Sequence, residues 1–220
     1  HDGAFADSLI VPECNLHVIP DHVPTDHAVF VEPLAAACRI PQQITIHAGE
    51  RVVVVGDGRL GNLCAQVLQH HGCRVSLVGK HRFKLNVAEQ CGLQNCLLLD
   101  DVSTDHSADI VVDCTGSDSG LQSALQLVRP CGTIVLKTTV AAESTLHLAP
   151  FVIDEVTVLG SRCGPFDTAI ELLAADAVSV APLISDRFPL EDAVAAFDRA
   201  VQKNVLKVLF DVSQAECPAL

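Results

Sequence analysis

The chain has 220 residues, 49% of them hydrophobic and 19% charged, which is enough apolar material for one large domain or a domain with a small companion and excludes a disordered chain. Asp and Glu number 27 against 14 Lys and Arg, a formal net charge of −13 at pH 7. A surface this acidic repels phosphate backbones and argues against general nucleic-acid binding. No apolar run approaches the ~20 residues of a membrane-spanning helix. Ten cysteines without a Cys-x-x-Cys pair sit mostly in apolar patterns (Cys64, Cys73, Cys96, Cys114). They read as reduced core residues of a cytoplasmic protein rather than a disulfide scaffold or zinc ribbon. No signal peptide is visible, and the chain opens at His1 without any Met. The natural N-terminus and any targeting information are therefore expected upstream.

In chain order, residues 1–31 are mixed, with β-type stretches at 8–12 and 16–20 and no self-sufficient core. Residues 32–43 read as one Ala-rich helix with Pro33 early in it. From Arg51 strands and helices alternate. Strands are expected at 52–55, 74–78, 96–99, 110–114, 133–137 and 156–159. Helices are expected at 60–71, 84–91 and 121–128, the first two closed by Gly72 and Gly92. Short, wholly apolar strands alternating with helices predict a parallel sheet covered on both faces, an α/β doubly wound fold with right-handed crossovers. Beyond Gly164 the pattern changes to a helix at 166–174, a strand at 183–188, an amphipathic helix at 191–201 and a strand at 206–211, which need not join the parallel sheet.

The chemistry-bearing motif follows the first apolar strand, where Gly56-Asp57-Gly58-Arg59-Leu60-Gly61 leads into a helix. A Gly-x-Gly-x-x-Gly string gains meaning from this strand-to-helix context. Gly56 permits the tight turn, Gly58 lets the backbone approach a pyrophosphate, and Gly61 lets helix and strand pack closely. The phosphates would meet unpaired N–H groups at the helix N-terminus. NAD-binding folds place an acid after the second strand, about 20 residues on, to accept the ribose hydroxyls. Here Gly79 is followed by Lys80, His81 and Arg82, cations that attract a 2′-phosphate. NADP(H) is therefore expected over NAD(H). Thr115 and Gly116 after the fourth strand, and Ser161 and Arg162 after the sixth, lie on the same carboxyl edge and are further cofactor-binding candidates. His70 and His71 read as a solvated helix end, and Cys38 and Cys163 as small core residues.

These residues resemble the medium-chain, zinc-dependent alcohol dehydrogenase superfamily, and its threonine and sorbitol dehydrogenase-like branch most of all. The resemblance runs over essentially the whole chain. It is carried by Asp2-Gly3-Ala4-Phe5-Ala6, Pro20-Asp21, Glu32-Pro33-Leu34, the Gly56 motif, Arg129-Pro130-Cys131-Gly132, Gly160-Ser161-Arg162, Pro189-Leu190-Glu191-Asp192-Ala193 and Leu206-Lys207-Val208.

The resemblance implies a Rossmann dinucleotide-binding domain at 33–165 inserted into a GroES-like catalytic domain. Residues 1–32 would end the first segment of that catalytic domain and residues 166–220 would complete it. It implies hydride transfer between a small alcohol or polyol and the nicotinamide of NADP or NAD, with zinc polarising the oxygen in the full-length protein. Glu32 matches one zinc-ligand position, direct or exchanging. The Cys and His-Glu ligands and the catalytic residues would lie upstream of His1. One carboxylate does not hold a catalytic zinc, so this chain alone is expected to bind dinucleotide without turning over alcohol. A homo-oligomer paired through the last sheet strand is also implied. The alternatives are a zinc-independent quinone reductase-like enzyme and a non-catalytic dinucleotide-binding fragment.

Overall fold

The strand-forming runs of β-branched residues build one six-stranded parallel sheet. In the computed structural model, which describes residues 3–6, 8–140 and 147–212, the strands are β1 (Arg51–Val55), β2 (Arg74–Gly79), β3 (Cys96–Leu98), β4 (Ala108–Asp113), β5 (Val128–Leu136) and β6 (Thr157–Gly160). Their order is β3-β2-β1-β4-β5-β6, so the doubly wound Rossmann expectation holds. The order reverses direction between β1 and β4, whose register pairs Val52 with Ile110 and Val55 with Asp113. That reversal leaves a crevice outside the carboxyl ends of these two strands.

Before the sheet come the one-turn helix α1 (Thr25–Ala28), then α2 (Val31–Cys38) and α3 (Ile40–Gln43). The crossover helices are α4 (Arg59–His70), α5 (Arg82–Gln90) and α6 (Gly120–Leu127), with the short α7 (Ala149–Ile153) ahead of β6. After β6 come α8 (Phe166–Ala174), β7 (Ile184–Pro189), α9 (Ala193–Ala200) and β8 (Lys207–Asp211). β7 and β8 pair with each other in a separate two-stranded sheet, consistent with the change of pattern after Gly164. One buried cluster runs from Val23 and Phe30 through Leu63, Leu68 and Leu77 to Leu173 and Leu183, so α2 and α8 pack on the same core as α4. A second, smaller cluster on the other face holds Val55, Val111, Ala124 and Ile134. Covering both faces explains the apolar runs Val52–Val55 in β1 and Ile110–Val112 in β4.

Three expectations change. Residues 8–12 and 16–20 form no strand; the described part of that segment is exposed chain with a single 3-10 turn at Glu13–Asn15, because it has no neighbouring strand to pair with. The expected 32–43 helix is two helices broken at Arg39, since Pro41 offers no N–H to continue the ladder. β5 starts at Val128 rather than 133. Its register against β4 jumps from Ala108↔Val128 to Ile110↔Thr133, so Arg129-Pro130-Cys131-Gly132 is accommodated as an irregularity with Cys131 at φ 57°. Asp2 of the resemblance and residues 213–220 of the last expected segment lie outside the described residues.

Candidate dinucleotide site

The glycine turn sits at the switch point because β1 and β4 end side by side. The Gly56 N–H donates to the Val78 carbonyl (2.8 Å), and the Cys114 N–H donates to the Val55 carbonyl (2.8 Å). The three glycines differ in what they leave room for. Gly56 has φ 125°, and a Cβ there would lie 2.6 Å from the Cys114 carbonyl oxygen, so the turn and the close crossing of β4 both require glycine. A Cβ on Gly61 would lie 1.9 Å from the Gly56 carbonyl oxygen, which sets the tight packing of α4 on the turn. At Gly58 nothing lies within 4 Å. That open side is where a phosphate can approach the backbone, and Gly58 is the N-cap of α4 with no side chain capping it.

Beside the turn lies a cleft of about 110 Å³ bounded by Gly56, Asp57, Gly79, Lys80, His81 and Thr115, among others. The structure thus brings Gly56, Asp57, Gly79, Lys80 and His81 around one cleft, whereas Gly58, Arg59, Leu60, Gly61 and Arg82 do not line it. Lys80 and Arg82 are exposed, and the Arg82 guanidinium stands 3.7 Å from Glu89 two turns further along α5. No carboxylate comes from the end of β2, but one arrives from the glycine turn. Asp57 Oδ2 accepts the N–H groups of Lys80 (2.8 Å) and His81 (2.7 Å) and lies 3.0 Å from His81 Nδ1. Arg59 is exposed on the first turn of α4, while Leu60 turns inward against the core.

On the β4 side, Asp113 is 2% exposed and organises the loop. Its Oδ1 accepts the Thr115 N–H (2.9 Å), the Thr115 hydroxyl (2.8 Å) and the Thr138 hydroxyl (2.9 Å). The Gly116 N–H donates to Thr138 Oγ1 at 3.0 Å, so Thr115 and Gly116 spend these donors on shaping the loop. Gly116 has φ 66° and open space around it.

Ser161 is placed differently from the residues of the first two strand ends. It is buried, and its hydroxyl accepts from Lys137 Nζ at 2.8 Å. The same ammonium donates to the Arg162 carbonyl (3.2 Å) and the Ala36 carbonyl of α2. Burial holds the Lys137 amine below the ordinary lysine value. Lys137 escaped the sequence reading; the available signal was a lone lysine directly after an apolar strand. Lys207 was also missed as a charged group close to Arg59 of α4 and Glu32 of α2. Burial first, then the nearby Arg59 charge, pushes its amine down, while Glu32 pushes it up.

Glu32 stands exposed in the first turn of α2. Among the described residues no three His, Cys, Asp or Glu side chains converge as a metal site. The described residues do not fit a catalytic zinc. The glycine cradle and the cations at the end of β2 do fit a dinucleotide.

A zinc-binding dehydrogenase family model matches residues 60–176, more than half of the chain. The chain is 30% identical over 206 residues to a 2-dehydro-3-deoxy-L-galactonate 5-dehydrogenase of Pseudoalteromonas atlantica, covering 89% of this chain and 60% of that protein. It is 26% identical over 223 residues to a sorbitol dehydrogenase of Halalkalibacterium halodurans, covering 94% and 65%. A Sinorhizobium meliloti chain solved bound to NADP superposes with a TM-score of 0.87 at 24% identity, covering 96% of this chain and 66% of that one. The strand order and the glycine turn at its switch point define a Rossmann fold. The chain belongs to the zinc-binding dehydrogenase family. It spans about 60 to 66% of the length of the first curated relatives it matches.

Proposed function

We propose that this chain is the coenzyme-binding part of an NADP-dependent, zinc-type alcohol or polyol oxidoreductase. The observation that carries the reading is the open approach to Gly58 at the uncapped N-terminus of α4, beside Lys80 and His81. The α4 N-terminus and its unpaired N–H groups hold the pyrophosphate, with Arg59 and Lys207 near enough to each other to add positive charge. Lys80, His81 and Arg82 take the 2′-phosphate, and Thr115, Gly116, Ser161 and Arg162 border the rest of the coenzyme. A bound nicotinamide supplies the hydride acceptor or donor. The sorbitol and galactonate dehydrogenases among the relatives support a small polyhydroxylated alcohol as substrate.

Residues 1–32 and 166–220 are assigned to a GroES-like catalytic domain and 33–165 to the Rossmann domain; the separate β7–β8 sheet supports this division. Glu32 is assigned to the zinc site of the whole protein. A two-fold homo-oligomer through β6 is supported by that exposed edge strand and by Val152 and Ile153, each 77% exposed beside it. The nine described cysteines are all free, which supports a cytoplasmic location, and no described helix is long and apolar enough to cross a membrane.

Calorimetric titration of NADPH and NADH into the protein tests the reading. NADPH is expected to bind at least ~10-fold tighter. Tighter NADH binding overturns the coenzyme choice, and binding of neither overturns the whole assignment. The lack of a metal cluster among the described residues favours a second reading, a dinucleotide-binding unit without turnover of its own. An alcohol-oxidation screen with added zinc separates the two.

A further inference from the structure

Asp57 does something the glycine motif does not ask of it. The residue between the first two glycines has no required side chain, yet this carboxylate is only 10% exposed and lies against the end of β2. It gathers three donors on Oδ2: the Lys80 N–H (2.8 Å), the His81 N–H (2.7 Å) and His81 Nδ1 (3.0 Å). Oδ1 is a further 3.3 Å from Nδ1. Gly79 makes this possible, since a Cβ there would lie 2.3 Å from Asp57 Cβ and 2.5 Å from Oδ2.

An acid at this edge ordinarily accepts the ribose hydroxyls of NAD. Here Oδ2 is committed to protein donors, so the acid shapes the turn instead. To donate to Asp57, Nδ1 must carry a hydrogen, which fixes the ring's orientation and leaves Nε2 on the edge away from Asp57. The ring is 41% exposed and lines the cleft next to the exposed Lys80, while Arg82 stands beside Glu89.

The geometry points to Asp57 as a positioning residue for recognition of a phosphate monoester at the adenosine 2′ position. It holds His81 with Nδ1 inward, so that the imidazolium donates through Nε2 to the phosphate while Lys80 adds a second charge. The second ring proton comes from water. This inference rests on the NADP reading above.

Titrations of NADPH and NADH into wild type, Asp57→Asn, His81→Ala and the double variant test it. His81→Ala is expected to weaken NADPH by ~10- to 100-fold, and NADH by less than about twofold. Asp57→Asn keeps an oxygen for the two backbone N–H groups and should weaken NADPH by about tenfold, with NADH nearly unchanged. The double variant should be no weaker for NADPH than His81→Ala alone, because Asp57 acts through that ring. Equal weakening of both coenzymes by Asp57→Asn, or effects that simply add, would make Asp57 a structural residue and overturn the inference. Wild type that prefers NADH or binds neither brings down the coenzyme reading and this inference together. Wild type that binds NADPH but ignores His81→Ala brings down the inference alone.

Should Asp57→Asn fail to fold, ¹⁵N spectra of the wild-type His81 ring decide. NADPH, but not NADH, should bring both ring nitrogens to protonated shifts. A ring unmoved by NADPH overturns the proposal.

Discussion

The glycine turn and the first turn of α2 are both places where the sequence suggests ligand chemistry, yet they are built on different principles. At the turn the groups offered to a ligand are backbone atoms of six consecutive residues, shaped by Gly56 and Gly61 and left open at Gly58. At α2 the candidate is one side chain, Glu32, exposed and without a converging set of metal-binding groups among the described residues. A site made of local backbone is complete once its turn is formed. A metal site is complete only when distant segments deliver several ligands to one point.

The sharpest probe of that contrast is to add single methyl groups within the turn. Gly61→Ala places a Cβ 1.9 Å from the Gly56 carbonyl oxygen and should cost about 3 kcal/mol or more in urea denaturation, with loss of dinucleotide binding. Gly58→Ala meets no atom within 4 Å and should leave stability within about 0.5 kcal/mol, while weakening NADPH by more than ~10-fold. Unchanged affinity in Gly58→Ala would mean that the phosphates do not rest there.

Lys137 ties α2 to the segment after β6, since its ammonium reaches Ala36 in α2 and Ser161 and Arg162 after β6. Lys137→Ala should destabilise the protein by about 2 kcal/mol through these lost charge-assisted bonds. If it changes stability by less than ~0.5 kcal/mol, the bridge is not a structural tie.

In packing, as opposed to chemistry, the two regions should behave alike, and alkali tests this. Burial pushes the thiols of Cys38 in α2, and of Cys73, Cys91 and Cys96 around β2, α5 and β3, from 9.0 up to about 11. Between these values the unfolded chain loses the thiol proton and the folded chain keeps it. Stability is therefore fully present below pH 9 and falls as pH rises toward 11, by about 1 kcal/mol per thiol at pH 10. Cys38→Ala and Cys96→Ala should each flatten a denaturation-versus-pH profile by a similar amount. A profile flat to pH 11 in wild type contradicts the burial of these groups.

The smallest effect belongs to Glu32. Glu32→Gln should move stability by less than about 0.5 kcal/mol and leave dinucleotide affinity unchanged, since its carboxylate makes no ion pair among the described residues. A large loss of NADPH affinity in this variant would break the separation between the two regions.

Much of the fold was legible because the strands of the parallel sheet carry their signal in composition. The run Val52-Val53-Val54-Val55 and the apolar core of β4 can only be buried on both faces, and glycines close the helices between them. Residues 8–12 and 16–20 misled because β-type composition forms a strand only beside a partner. The start of β5 misled because Pro130 and Gly132 read as a break, whereas pairing with β4 on either end of the irregular stretch, Val128 to Ala108 and Thr133 to Ile110, keeps it in the strand. In the site, Gly56, Gly58, Gly61, Lys80 and His81 were readable from spacing alone. The inward turn of Ser161 and the reach of Lys137 were not, since each depends on a partner at least 24 residues away.

Sequence by itself determined the alternation of elements, the glycine turn and the positive charge after β2, because each is a property of a few neighbouring residues and their backbone. Only the tertiary structure decided where side chains from separate strands meet. It carried the Asp57 carboxylate across to Lys80 and His81, and it brought Thr138 onto Asp113. Hydrogen bonds of this kind depend on distances of about 3 Å between atoms far apart along the chain, and those distances exist only after the sheet has set its register.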